Sequence, residues 1–186
     1  MSERNTILRS LHDLGAAAWF GGSLMGCVGL NGAAGSEGGT ERDTARIAAT
    51  GWKRWAPVNA GAIAAHLIGG AGILAANAAR VKSQQGVAAS TIAKTVVTAA
   101  AMAATAYSGV LGAKIALASS DDPAHREKSG KHPLDLDQAQ KHLAVVQWLL
   151  PVLTGAIVVL NAVHGEQQRP SQQKKGMAKK MLSRTW

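Results

Sequence analysis

Between Trp55 and Ala79 the chain reads WAPVNAGAIAAHLIGGAGILAANAA, 25 residues without an Asp, Glu, Lys or Arg. Few folds accommodate such a stretch. Wound as a helix rising about 1.5 Å per residue, it spans a hydrocarbon core roughly 30 Å thick. Trp55 then stands at one interface, and Arg80 with Lys82 at the other. One ionisable side chain, His66, lies near the middle. Asn59, His66 and Asn77 are spaced 7 and 11 residues apart. At about 100° per residue they fall within roughly 20° of one line, and Gly70 lies on it. Polar groups bare to lipid are costly, so this stripe is expected to face protein.

Three further stretches resemble it in length and character, at about 14–34, 92–118 and 142–164. The expected fold class is all-α: a four-transmembrane-helix bundle over residues 1–168, with a basic cytoplasmic tail at 169–186. In the first span Gly15, Gly22, Gly26 and Gly29 share a stripe, and Gly22 with Gly26 form a GxxxG pair. Glycines at that spacing let another helix approach closely. Trp19 and Phe20 supply bulk beside the groove. In the third span Thr91, Thr95, Thr98, Thr105, Gly109 and Gly112 line one side, with Tyr107 and Lys114 on the other. Lys114 is near the end and is expected to snorkel to the headgroups. In the fourth, Gln147, Thr154 and Asn161 recur every seven residues. Pro151 cannot donate to the carbonyl of Gln147, so a kink is expected there. Stripes repeating near seven suit nearly antiparallel, left-handed packing. The expected packing residues are Gly15, Gly22, Gly26, Asn59, Gly70, Thr98, Thr105, Gly109, Gln147, Thr154 and Asn161.

The connections are polar. In 35–54, Asp43 is expected to cap a short helix carrying Ala45, Ile47 and Ala48, with Trp52 and Trp55 resting on the membrane surface. Pro57 falls in the first turn of the second span, where a missing N–H costs little. In 119–141, Asp135 and Gln138 have capping-box spacing, which starts the fourth helix outside the membrane. The tail, with Met177, Met181, Leu182 and Trp186 among its lysines, reads as solvated. No internal repeat is evident.

The net charge of +9 raises nucleic acid as a partner. Its distribution points instead to membrane topology. The lead-in, the second connection and the tail hold 11 Lys or Arg against 3 acidic residues. The other two loops, with Lys114, hold 9 against 8. Basic residues favour the cytoplasmic side, which puts both termini in the cytoplasm. The tail has no interleaved aromatic residues to stack bases, so no nucleic-acid partner is expected. Mean hydropathy is only +0.03. Ala and Gly dominate the apolar spans, and the basic loops dilute the average. A soluble helical bundle is the rival fold, but four runs near membrane length are hard to place in so small a core. Cys27 is the single cysteine, so no intrachain disulfide forms.

Histidines are the first candidates for chemistry. His12 and His164 are expected near the inner face, His142 near the outer face and His66 at mid-membrane. Two imidazoles facing across a bundle can ligate haem, and a histidine cluster can hold a transition metal. The spacing leaves His12 and His164 about half a membrane from His66. His66 is therefore expected to be a neutral, hydrogen-bonded structural residue, with His66 and His12 kept as the cofactor candidates. No cofactor is required by the sequence, and haem is the one to consider. The loop carrying His125, His132, Asp121, Asp122, Glu127, Asp135 and Asp137 reads as solvated rather than as a metal site. No P-loop, GxSxG, HExxH or CxxC motif occurs.

Residues 12–22 (HDLGAAAWFGG), 51–59 (GWKRWAPVN) and 165–170 (GEQQRP) resemble a family of uncharacterised actinobacterial membrane proteins. The resemblance implies a four-helix membrane protein and no particular activity. A histidine, an apolar stretch and then Trp-Phe-Gly-Gly are also similar to the first helix of the copper-resistance CopD and HemJ-type membrane families. HemJ-type proteins act in porphyrin oxidation, which adds to the interest of His12. The leading expectation is a multi-pass protein of the bacterial plasma membrane without enzymatic activity, an accessory or assembly component of a membrane complex. Its partners are then the lipid bilayer and another membrane protein. A haem-, porphyrin- or metal-binding redox protein using His66 or His12 is an alternative, as is a small transporter acting as an oligomer.

Overall fold

The computed structural model describes residues 5–76, 78 and 85–167, with backbone alone at 85–88 and 164–167. Every regular element among them is helical. The order is α1 (Thr6–Met25), a π-helical turn (Gly26–Leu30), α2 (Asn31–Glu37), α3 (Glu41–Ala76), α4 (Gln85–Ala118), α5 (Pro123–Gly130) and α6 (Leu136–Gln167). The π turn joins α1 to α2 without a break, so the first run is helical from residue 6 to 37. Arg80, Lys82, Asn77 and the tail at 169–186, with Met177, Met181, Leu182 and Trp186, lie outside the described residues.

Three of the helices are long and apolar enough to cross a membrane: Glu41–Ala76, Ala89–Ala118 and Leu136–Val163. By length and composition the chain is a membrane-embedded protein. Helix α1, with Arg9, His12 and Asp13 in its first half, is not among the three. The distribution of side chains fits the same picture. The buried large apolar residues are Trp19, Leu111, Ile115, Leu150 and Ile157. A longer series is exposed, including Leu14, Ile68, Ile92, Val96, Val110, Val145, Val152 and Val159. His12, Ser23, His66, Lys114 and Thr154 are buried instead. Polar groups inside and apolar groups outside is the order expected where the solvent is lipid.

Helix α1 is central, packing against α3 on one side and α6 on another, while α4 packs chiefly on α6. One apolar cluster joins four helices: Ala16 and Trp19 from α1, Ala101 from α4 and Ile157 from α6, with Ile63 of α3 against them. A second, formed by Leu111, Ile115 and Ala139, closes the far end of α4 on α6.

Several local expectations are corrected. The polar segment 35–54 is not a loop with a short helix in it. Only residues 38–40 separate α2 from α3, and α3 then runs unbroken through the charged residues into the apolar span. Thr40, not Asp43, caps it, for its Oγ1 accepts from the Asp43 amide at 3.1 Å. Pro57 therefore lies well inside α3 rather than in its first turn. Trp52 and Trp55 turn their rings into the groove of the first run, onto Gly26 and Gly22. Lys114 does not reach outward. It is buried, and its Nζ donates to the Ser129 carbonyl at 2.9 Å, because α5 folds back over the end of α4 and offers an acceptor. Ser129 Oγ answers by donating to the Lys114 carbonyl at 3.1 Å. At the start of α6 the Asp135 carboxylate accepts from the Gln138 amide at 2.7 Å, as the spacing predicts. The polar ends of α3 and α4 meet here: Arg42 donates to the Ser119 and Ser120 carbonyls and pairs with Asp121, which Arg46 also reaches.

Helix α6 continues through Pro151. The ring removes the N–H that would have met the Gln147 carbonyl. That carbonyl is taken by Cys27 of the π turn, whose Sγ donates to it at 2.8 Å. One turn on, Asn31 donates to Gln147 Oε1 at 2.9 Å and accepts from Trp52 Nε1 at 2.9 Å. The cysteine thus supplies the donor that the proline lacks. Cys27→Ala is expected to cost about 1–2 kcal/mol, the usual result of stranding a buried acceptor. In a Pro151→Ala background, where the substituted residue brings its own N–H, the same change should cost much less. A double-mutant cycle of unfolding in detergent measures the difference.

Candidate functional site

The site begins with two glycines. A Cβ added to Gly15 of α1 would lie 2.5 Å from the Ala62 carbonyl oxygen and 2.5 Å from the His66 nitrogen of α3. A Cβ added to Gly69 of α3 would lie 2.5 Å from the Leu8 carbonyl oxygen and 2.5 Å from the His12 nitrogen of α1. Only hydrogen fits at either place. The two helices run antiparallel with their backbones in contact, and each repeats the spacing His-x-x-Gly, at His12–Gly15 and at His66–Gly69. The contacts correspond on both sides: each glycine meets the histidine three residues before the other glycine, and the carbonyl four residues before that histidine. This is a local two-fold arrangement.

Close approach brings the histidines together. Their rings stack with centroids 4.0 Å apart and an interplanar angle of 16°. His12 Nδ1 donates to the His66 carbonyl at 2.8 Å, and His66 Nδ1 donates to the His12 carbonyl at 2.9 Å. A carbonyl only accepts, so both rings carry their proton on Nδ1. His12 Nε2 is left as an acceptor and receives Lys94 Nζ of α4 at 3.1 Å. Both histidines are buried, at 4% and 2% exposed. Trp19, 1% exposed, closes the site above, edge-on to His66 at 6.4 Å, with its Nε1 donating to Thr105 Oγ1 at 3.2 Å. On the remaining side Asn161 of α6 donates to Asp13 Oδ1 at 3.1 Å. Asn161 Oδ1 is buried with no partner among the described residues.

This pairing overturns the expected half-membrane separation of His12 from His66. Matching the spans 14–34 and 55–79 end to end would put Leu14 opposite Ala79. Gly15 instead faces Ala62 and His66, a slide of about 21 Å along the axis. Backbone contact at the glycines fixes the register and overrides the alignment of apolar lengths. His66 also shares its level with His12, Lys94 and Asn161, which lie close to the ends of the other three spans, rather than with their centres.

The other expected packing residues are scattered through the same bundle. Gly22 and Gly26 receive the rings of Trp55 and Trp52. A Cβ on Gly70 would come within 3.0 Å of the His12 ring. Asn59 is half-buried, with its Oδ1 buried and no partner among the described residues. Thr98 is half-buried and Thr105 meets Trp19. Thr154 is buried and 3.4 Å from Ser23 Oγ. A Cβ on Gly109 or Gly112 would meet nothing within 4 Å. Those two do not form a close seam, because α4 meets α6 through Leu111 and Ile115 at this end. His142 bonds Tyr107 OH at 2.6 Å on the exposed surface. His125 borders a hollow of about 360 Å³ between Arg46, Lys53 and Asp122. The side chain of His164 lies outside the described residues. Nothing in the sequence marks Cys27 or Lys94 for the parts they take, whereas the repeated His-x-x-Gly is a signal that could pair the histidines.

A haem held by both histidines needs their nitrogens aimed at an iron from opposite faces of a flat ring. Rings stacked face to face, with both Nδ1 atoms bonded to backbone, have neither that aim nor the space between them. No group of three or more His, Cys, Asp or Glu placed to hold a metal ion occurs among the described residues. What the arrangement does is fasten three helices through one neutral, acceptor-bearing imidazole. Gly15→Ala and Gly69→Ala should each destabilise the protein by about 2 kcal/mol or more, since neither backbone can yield. Gly109→Ala and Gly61→Ala, where a Cβ meets open space, should stay within about 0.5 kcal/mol or gain stability. Reversible unfolding in mixed micelles separates the two pairs.

Comparison of the chain with protein-family models, with curated proteins and with solved structures finds no match.

Proposed function

We propose that this chain is a multi-pass protein of the plasma membrane. The helical run of residues 6–37 serves as its fourth span, both termini lie in the cytoplasm, and the protein acts as a non-enzymatic accessory or assembly component of a membrane complex. The observation that carries the reading is how the described buried polar groups are used. His12, His66, Trp19, Cys27, Asn31 and Lys114 each end on another helix. These contacts hold helices together, while Ser119 bonds within its own helix and the Oδ1 atoms of Asn59 and Asn161 have no partner among the described residues. The outward faces of α3, α4 and α6 are apolar, with small residues among them, and suit lipid and a neighbouring membrane helix. The histidine geometry described above favours a fastening role over axial ligation.

Two measurements test it. A fluorescent protein that matures only in the cytoplasm, fused after Trp186, should fluoresce; a dark fusion with a labelled periplasmic C-terminus overturns the topology. Photo-crosslinking residues placed at Val110 and at Val152, both exposed, should trap one protein in fixed ratio in native membranes. That protein should lose assembly when this chain is deleted. Lipid adducts alone from both positions, or a Soret band in the purified protein that disappears in His66→Ala, overturn the accessory reading.

A further inference from the structure

We propose that the stacked histidines form a proton-operated clasp: when His12 takes up a proton, Lys94 is released and α1 parts from α3 at this end of the bundle. In the structure His12 Nδ1–H is committed to the His66 carbonyl, and its Nε2 lone pair is filled by the Lys94 ammonium at 3.1 Å. That contact exists only while Nε2 accepts. Protonation turns Nε2 into a donor and sets two cations against each other, beside a second imidazole at 4.0 Å. No proton can be shared across the stack, because the rings meet face to face and each Nδ1 points at backbone.

A second arrangement already has its parts. Asn161 Oδ1 is a buried acceptor with no partner among the described residues, and its side chain neighbours the His12 ring. A protonated His12 can donate there, while the amide of the same side chain keeps Asp13. Lys94 has a flexible stem on which its ammonium can swing out. His12 has its backbone against Gly69 and its ring edge against Gly70 of α3, so the ring cannot turn unless the helices separate. The charged and titratable groups around His12 are Asp13 on α1, His66 on α3 and Lys94 on α4, with Arg9 of α1 acting on Lys94. From α6 the described neighbour is the uncharged Asn161. Asp13 is the anion of this set, and Lys94 the cation in contact with the His12 ring.

The test uses full-length protein in nanodiscs, with Cys27→Ser to keep a donor for Gln147. Spin labels go on Ile7→Cys and Leu74→Cys, two exposed positions on either side of the clasp. The interlabel distance and the imidazole ¹⁵N signals of His12 are followed from about pH 8 to about pH 4, a range that brackets ordinary histidine titration. The distance should grow by about 5 Å over the pH range in which His12 Nε2 gains its proton. Lys94→Gln, which keeps a donor without the charge, should move the midpoint up by about one pH unit, and Asp13→Asn should move it down. General loosening of the bundle would not shift the two in opposite directions. A protonated His12 with unchanged distance overturns the clasp. So does a His12 that stays neutral throughout, or a midpoint indifferent to both substitutions.

Discussion

Two backbones touch where Gly15 and Gly69 lie, and most of the described interior is arranged around that contact. With no Cβ on either side, each helix presents bare peptide groups to the other. The histidine three residues before each glycine then has one place for its ring, over the other ring, and one acceptor for Nδ1, the other's carbonyl. Two hydrogen bonds and a stacking contact, each worth of order 1 kcal/mol, follow from a steric fact about hydrogen atoms. Tryptophans seated on Gly22 and Gly26 carry the same register along the groove, and Leu30 on Gly51 extends it.

The first helical run, residues 6–37, bears a second seam beside its glycines. His12, Trp19, Ser23, Cys27 and Asn31 follow one another at four- to seven-residue steps and reach α3, α4, α6, α6 and α6 in turn. The long helix without an apolar stretch of spanning length is thus packed between two others. Its polar groups are tolerable because other elements answer them: a hydroxyl for the Trp19 indole, a proline-freed carbonyl for the Cys27 thiol, a backbone oxygen for His12. The π turn falls where this seam crosses to Gln147, placing Cys27 and Asn31 on one neighbour.

Helical class and the three strongest spans were legible because long uncharged runs admit few alternatives. The glycine stripe was legible in part, since spacing tells which residues share a face. It does not tell which partner each will meet. Gly109 and Gly112 share their stripe with Thr105, yet only Thr105 is engaged, because neighbouring Leu111 and Ile115 decide how α4 sits on α6. The histidine pair was missed for a related reason. Aligning helices by apolar length treats the membrane as the ruler, whereas contact between backbones sets the axial position more strictly. The partner of Pro151 was missed too. The lost N–H was evident from the proline, but which neighbour would answer the Gln147 carbonyl depends on tertiary packing.

Ribosomes deliver α1 before α3 exists. Until the second helix emerges, Gly15 has no backbone to meet, and His12 has neither ring nor carbonyl for company. A nascent segment with Arg9, His12 and Asp13 in its leading turns is then a poor candidate for dissolving in hydrocarbon by itself. Once α3 arrives, the exposed peptide edges of both are covered at a stroke. On the proposed four-span topology the two therefore enter the bilayer as a hairpin. On that topology, any lesion that mispositions the later helix leaves the glycine face of the earlier one without its cover.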